Sequence, residues 1–171
     1  DNYRLDEASN TLYQFIWHEF CDWYIELAKI SMGDKDNTEA DATRTILLNT
    51  YESILKLLHP FMPFITEEIW QYLPNFNGEG IMIAAYPNID DNLVDPEAEK
   101  EMKLVQGIIS SIRNIRSEMN IQPGVEISAI LNIKETVLID MVGANTHYIN
   151  RLARLTNLVI GKDLPRPKCS A

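Results

Sequence analysis

Apolar residues recur at steps of three and four along much of this chain, which is the spacing of an amphipathic helix. The pattern predicts one long helix over residues 5–31 and a second over residues 39–59, which Asn37 or Thr38 could cap. A third long helix is predicted over residues 96–119. These stretches indicate a mainly α-helical protein.

Two prolines interrupt the helical pattern within residues 57–74, which read LLHPFMPFITEEIWQYLP. Pro60 disfavours helix at His59, so the helix that precedes it should end there. Proline is tolerated in the first turn of a helix, so a new helix is predicted from Pro63 to about Tyr72. We interpret this stretch as a rigid corner between two packed helices.

The pattern changes after residue 124, where apolar and polar residues alternate over residues 125–133 and predict a strand with one buried face. Two short helices are then predicted over residues 134–142 and 145–155, and a second strand over residues 157–161. Two strands alone make a marginal sheet, so further strands are expected beyond Ala171. This part of the chain should form a small α/β annex.

Residues 81–87 are short and apolar and predict an extended segment lying across the helices. An acidic linker follows, and the run Asp95-Pro96-Glu97 starts the next helix with a cap, a proline at the first position and a carboxylate. We therefore predict a helical bundle over residues 1–95, and a long helix with the α/β annex over residues 96–171.

The charge of the chain differs between its two parts. Residues 1–97 carry 18 acidic and 5 basic side chains, whereas residues 98–171 carry 7 and 10, which together give the net charge of −10. A nucleic acid would be steered toward the second part. No apolar run is long enough to span a membrane, and the isolated Cys21 and Cys169 suggest no disulfide framework, so a cytoplasmic protein without a membrane partner is expected.

Catalytic and metal-binding patterns are absent from the sequence. There is no phosphate-binding loop, dinucleotide fingerprint or nucleophile elbow, and His18, His59 and His147 lack metal-ligand spacing. The adjacent Glu67 and Glu68 point about 100° apart on a helix, so they do not converge on one substrate atom. We therefore predict no catalytic residue and no metal ligand, and a binding or structural module.

Arg113 and Arg116 lie three residues apart on what the pattern predicts to be an exposed side of the third long helix. They could form a fork-shaped contact to phosphate or to a base edge, or could be a solvated pair. Lys29 and Arg44 are among the few bases of the first part. The aromatic run at residues 15–24 has helical spacing and favours a core role over a stacking platform for bases.

Three stretches together resemble a known family. The stretches are FIWHEFCDWYIELAK (Phe15–Lys29), LLHPFMPFITEEIW (Leu57–Trp70) and IRNIRSEMNIQPG (Ile112–Gly124). The middle one, with the pattern L-x-P-F-x-P-F-x-T-E-E-x-W, is similar to the helical anticodon-binding domain of class I aminoacyl-tRNA synthetases. The other two are similar to the valyl type within that class.

This resemblance implies a domain that grips the anticodon arm of valine tRNA and reads an anticodon ending in adenine and cytosine. It also implies that Arg113, Arg116, Lys29 and Arg44 face the tRNA. The HIGH-type and KMSKS-type signatures, the editing domain, the start of the bundle and the C-terminal coiled-coil arm are missing. The chain should thus be an inactive piece of a longer, monomeric, ATP-dependent ligase, with no cofactor of its own and the rest of that ligase as its partner.

Two alternatives remain open. One is the equivalent domain of a leucyl or isoleucyl enzyme, which shares the proline-bounded corner. The other is a helical protein–protein interaction module, which a large exposed apolar patch would favour.

Overall fold

The computed structural model describes residues 4–33, 40–74 and 76–165. The chain divides into two compact units, which we call unit 1 (Asp1–Asp91) and unit 2 (Asn92–Ala171). Helices dominate, and a two-stranded sheet lies in unit 2, so the predicted mainly α fold with a small annex is confirmed. Among the described residues, no helix combines the length and apolarity needed to cross a membrane.

Unit 1 begins with one continuous helical stretch, as predicted, but its middle is wound differently. The elements of unit 1 are α1 (Leu5–Gln14), a π-helical segment (Phe15–Tyr24), α2 (Ile25–Gly33), α3 (Ala40–Leu58) and α4 (Pro63–Trp70). The N–H of Ile25 donates to the carbonyl oxygen of Phe20, five residues back, which is the π-helical pattern. The predicted caps Asn37 and Thr38 lie outside the described residues.

The core of unit 1 joins the π-helical segment and α2 to α3. Phe20, Ala28, Ile54 and Leu55 are all at most 4% exposed. The ring of Phe20 stacks on that of Tyr51 at a centroid distance of 6.4 Å. The core role predicted for the aromatic run therefore holds for Phe20.

Other aromatic residues of the same helical stretch lie at the surface. Trp17 is 54% exposed and Tyr13 is 56% exposed. Their rings lie parallel at a centroid distance of 6.4 Å. For Trp17 the core role predicted from helical spacing is therefore wrong.

The corner between α3 and α4 is held by a buried threonine. Thr66 is 1% exposed, and its hydroxyl donates to the carbonyl oxygen of Met62 at 2.8 Å. Nδ1 of His59, at the end of α3, lies 2.8 Å from the same hydroxyl oxygen. The predicted helix start at Pro63 is confirmed, and these hydrogen bonds close the turn that precedes it.

Two further side chains of α4 hold the segment that follows it. A carboxylate oxygen of Glu67 accepts from the N–H of Ile81 at 2.9 Å, and the indole N–H of Trp70 donates to the carbonyl oxygen of Glu79 at 3.0 Å. The extended segment predicted over residues 81–87 is wrong at its start, where Ile81–Ile83 forms a 3₁₀ turn. Its first residue is buried at 3% exposure, because the turn lays Ile81 against α4.

Unit 2 is built on one long helix and a βααβ arrangement. Its elements are α5 (Pro96–Glu118), β1 (Ile127–Asn132), α6 (Thr136–Ala144), α7 (Thr146–Ala153) and β2 (Leu155–Gly161). The carboxylate of Asp95 accepts from the backbone N–H groups of Glu97 and Ala98, so the predicted cap is confirmed. Each predicted helix and strand of this part is present, with shifted ends.

The two strands of unit 2 are parallel and lie next to each other. Their register runs from Ile127 opposite Leu155 to Asn132 opposite Gly161, with an irregularity after Ile127. Helix α7 packs on both α5 and β2. The core of unit 2 consists of residues at most 9% exposed: Val105, Ile109, Ile112, Val142, Ile149, Ala153, Leu155 and Leu158.

Candidate nucleic-acid interface

Arg116 occupies the interior of unit 2. It is 7% exposed, so the exposed position predicted for it is wrong. Its guanidinium donates to three backbone carbonyl oxygens, those of Gln122 and Val125 before β1 and that of Arg154 before β2. The buried cation thus connects α5 to the starts of both strands.

The burial of Arg116 follows from its place on α5. Val105, Ile109 and Ile112 precede it at steps of four and three and are themselves buried, so Arg116 continues the buried stripe of the helix. A direct contact with RNA would have to draw its guanidinium away from the three carbonyl oxygens. Its predicted contact with RNA stays a prediction.

Arg113 lies on the exposed part of α5, as predicted. Its Nε and Nη2 atoms donate to the carbonyl oxygen of Leu152 at 3.2 and 3.0 Å. Leu152 belongs to the last turn of α7, whose carbonyl groups carry the negative end of the helix dipole. The guanidinium is therefore fixed at this helix end while its side chain remains open to solvent.

Lys29 and Arg44 lie on unit 1 and are paired with acids of their own helices. Nζ of Lys29 contacts the carboxylate of Glu26, and Nη1 of Arg44 lies 2.7 Å from the carboxylate of Asp41. Both basic side chains are more than half exposed. Exposed pairs of this kind are weak, so either side chain could turn to a phosphate.

The surface around the end of α7 carries two arginines that the sequence reasoning did not single out. Arg151 is exposed in the last turn of α7, and Arg154 is exposed at the residue that ends it. Neither has an ion pair within 4.0 Å among the described part of the chain. Their spacing of three at a helix end, with no acid between them, is the signal that could have found them.

A cleft in unit 1 is a poorer candidate for phosphate binding than the end of α7. The cleft, of about 290 Å³, lies beside Trp70, whose ring is covered by Nζ of Lys56 at 5.4 Å from its centroid. Glu52 pairs with that lysine at 2.7 Å, and Glu79 also lines the cleft. Two carboxylates against one ammonium leave this cleft without a net positive charge.

Other kinds of site find little support within residues 4–33, 40–74 and 76–165. No group of three or more histidine, cysteine, aspartate or glutamate side chains lies close enough there to hold a metal ion. Burial raises the pKa of the Tyr24 phenol, in the core region of unit 1. This shift accompanies packing and marks no acid–base pair.

Comparison with known proteins places this architecture. The family model for the anticodon-binding domain of tRNA ligase matches residues 1–131. This chain belongs to the anticodon-binding domain family of tRNA ligases. The family model therefore covers all of unit 1, the whole of α5 and most of β1.

The chain is similar over nearly all its length to valine–tRNA ligases. It is 46% identical to that of Geobacter sulfurreducens over 170 residues, 42% identical to that of Bacillus cereus over 168, and 40% identical to that of Syntrophotalea carbinolica over 172. These alignments cover 98–100% of this chain but 19% of each relative. The chain thus spans about a fifth of the length of the curated relatives it matches.

Proposed function

We propose that this anticodon-binding domain recognises the anticodon arm of valine tRNA and so supports ATP-dependent charging of that tRNA with valine. The observation that carries the proposal is the similarity to valine–tRNA ligases along 98–100% of the chain. The leucyl and isoleucyl alternatives are less favoured, because each of the relatives named above is a valine–tRNA ligase. A cytoplasmic, monomeric ligase with ATP bound outside this domain is part of the same proposal.

The protein surface supports a particular way of holding the tRNA. Loop bases of RNA must be unstacked before they are read by stacking and by edge hydrogen bonds, and phosphate contacts fix the register. The exposed, parallel rings of Tyr13 and Trp17 on unit 1 offer faces for stacking. Arg113 on unit 2 offers a guanidinium whose geometry matches phosphate.

The proposal is tested by a binding titration of this chain against valine tRNA at two salt concentrations. The competing RNA is the same tRNA with the last two letters of its anticodon changed, since the valyl resemblance implies that these letters are read. Weaker binding of the altered tRNA at both salt concentrations supports anticodon recognition. Equal affinity for the two RNAs contradicts it, and shows that the domain holds only the RNA backbone.

The roles of the basic residues of unit 1 are tested separately. Lys29→Gln and Arg44→Gln each remove one positive charge and one weak ion pair, so we expect little change in stability. If both side chains face the tRNA, each variant should lower the salt slope of binding by about 0.7–0.9. An unchanged slope would remove that residue from the interface.

A second candidate role is favoured by exposed apolar side chains on and after α4. Phe64 is 91% exposed, Tyr72 is 80% exposed and Met82 is 81% exposed. Large apolar side chains at the surface often mark contacts with protein. We propose that they contact the rest of the ligase chain. In that longer ligase, Phe64→Ser should speed limited proteolysis near α4, whereas Glu68→Ser, an exposed polar control, should not.

A further inference from the structure

Three exposed arginines surround the C-terminal end of α7, and we call them the arginine patch: Arg113, Arg151 and Arg154. The guanidinium of Arg113 is anchored on the carbonyl oxygen of Leu152, the residue next to Arg151. Arg154 follows two residues later as the residue that ends the helix. All three therefore belong to one short stretch of the surface of unit 2.

The backbone of Arg154 gives a first reason to look for a role of its side chain. It has φ 54° and ψ 61°, in the left-handed region where a side chain is unfavourable and glycine is usual at a helix end. Its carbonyl oxygen accepts from Arg116 and from the N–H of Ile127, but a glycine would present the same oxygen. The fold therefore uses the backbone of Arg154 and leaves its guanidinium unexplained.

The charges around the patch give a second reason. The segments 113–116 and 151–154 read RNIR and RLAR, so they hold four arginines and no acid. The buried Arg116 beneath them donates to carbonyl oxygens, which do not cancel its positive charge. The negative end of the α7 dipole offsets only about half a charge. Arg151 and Arg154 therefore place two exposed positive charges at the end of α7, above a buried third charge.

Five other exposed basic side chains differ in having an acid beside them, whereas Lys134 and Lys162 are exposed and have no ion pair within 4.0 Å among the described residues. Each of the five side chains lies within 4.0 Å of a carboxylate three or four residues away, or two in one contact of Arg4: Arg4, Lys29, Arg44, Lys100 and Lys103. Arg151 and Arg154 have no such carboxylate within that distance among the described residues. Glu118 and Asp163, the acids nearest in sequence to the first and to the second segment, form no ion pair with Arg151 or Arg154 within 4.0 Å.

We propose that the arginine patch binds phosphates of the RNA backbone. Unit 2 would then contribute phosphate binding in addition to the proposed reading of the anticodon bases. The proposal rests on the proposed function, since it takes a tRNA as the ligand. Guanidinium groups match the geometry of phosphate oxygens in two parallel hydrogen bonds. Such contacts position the RNA without reading its sequence, so the patch should bind all tRNA variants equally.

The test compares the wild-type chain with the variant Arg151→Gln/Arg154→Gln in titrations against valine tRNA over a series of salt concentrations. Each lost phosphate contact should reduce the salt slope by about 0.7–0.9, so the double variant should lose about 1.4–1.8. The matched control is Lys100→Gln/Lys103→Gln, which removes the same charge from two exposed lysines of α5 in the same unit. Its slope should stay within about 0.5 of the wild-type value.

A third variant separates binding from folding. Arg154→Gly keeps the carbonyl oxygen and suits the left-handed backbone, so the thermal midpoint of unit 2 should be equal to or higher than that of the wild type. Its salt slope should nevertheless fall by about 0.7–0.9. A residue with a purely structural role would not give a more stable protein that binds RNA less well.

The outcomes are distinct for the two proposals. The proposal that the arginine patch binds phosphate is overturned if the double variant keeps the wild-type salt slope. It is equally overturned if the salt slope of the lysine control falls as much as that of the arginine variant. It is also overturned if the wild-type chain shows no salt-dependent binding of RNA. Equal affinity of the wild-type chain for normal and altered anticodons would contradict anticodon recognition. A salt slope that falls only in the arginine variants would, in that case, still support phosphate binding by the arginine patch.

Discussion

Replacing the buried Arg116 should destabilise unit 2 without affecting unit 1. The variant Arg116→Met keeps most of the apolar stem and removes the donors to three carbonyl oxygens. A hydrogen bond from a charged group contributes about 1.5–3 kcal/mol, but these contributions are not additive. The acceptor residues Gln122, Val125 and Arg154 are exposed, so water can replace part of what is lost. We therefore expect a loss of about 2–4 kcal/mol.

Local unfolding is the appropriate measurement because the chain has two units. The amides of Ile127 and Ile133 donate across the sheet to the carbonyl oxygens of Arg154 and Gly161, so their hydrogen exchange reports on unit 2. A loss of 2–4 kcal/mol should accelerate that exchange about 30- to 700-fold, since 1.4 kcal/mol corresponds to a factor of ten. The thermal midpoint of unit 2 should fall by roughly 10–20 °C.

The chain offers an internal reference and a matched control for this experiment. All three tryptophans lie in unit 1: Trp17, Trp23 and Trp70. The unfolding transition that their fluorescence reports should therefore be the same as in the wild type. Arg113→Met makes the same substitution one turn earlier at an exposed position and should cost about 1 kcal/mol or less. Exchange within threefold of the wild type in Arg116→Met would show that the carbonyl contacts do not hold the sheet on α5.

Three further predictions concern single elements. Asp95→Ala removes the two cap hydrogen bonds of α5 and should lower the stability of unit 2 by about 1 kcal/mol in urea unfolding, whereas Asp95→Asn should be nearly neutral. In Gly80→Ala the new Cβ would lie 3.2 Å from a carboxylate oxygen of Glu67, so tryptophan fluorescence should show a destabilisation that disappears in the Glu67→Ala background. Burial raises the pKa of Tyr24 in the folded state, so its neutral phenol contributes to folding stability. That contribution is complete below the unfolded-state pKa of 10.0 and is lost as the pH rises through the folded-state pKa. Tyr24→Phe should therefore show a smaller loss of urea midpoint between about pH 9 and 11 than the wild type, and an equal loss would contradict the shift.

Hydrophobic periodicity was enough to predict the main elements of the fold. Steps of three and four located α3 and α5, and strict alternation located β1, because burial of one face dominates in each. The π-helical segment was not predictable in this way, since its wider turn changes which residues share a face. The 3₁₀ turn at Ile81–Ile83 was missed because it depends on Glu67, fourteen residues earlier.

The position of Arg116 shows a different kind of failure. Its place after Val105, Ile109 and Ile112 on the buried stripe was visible in the sequence, but a charged residue is expected at the surface unless it has partners. The partners are backbone carbonyl oxygens, up to 38 residues away at Arg154. A carbonyl oxygen has no signature in a sequence, so the site that buries this cation could be found only in the folded protein.

The distribution of charge is compatible with the proposal that this acidic chain binds RNA. Unit 1 carries 16 acids and 5 bases, a net of −11, and unit 2 carries 9 acids and 10 bases, a net of +1. At physiological ionic strength charges are screened beyond about 8 Å, so a phosphate in contact with a guanidinium responds to its neighbours more than to the net charge. The described bases of unit 1 lie beside carboxylates, as Lys29 and Arg44 do, whereas Arg151 and Arg154 are not paired in this way among the described residues. Separate surfaces could then serve separate tasks, with aromatic faces on unit 1 to stack bases and arginines on unit 2 to hold phosphates. On this view Trp17→Ala should alter discrimination between anticodons and leave the salt slope of binding unchanged, whereas the arginine variants of unit 2 should lower that slope without altering the discrimination.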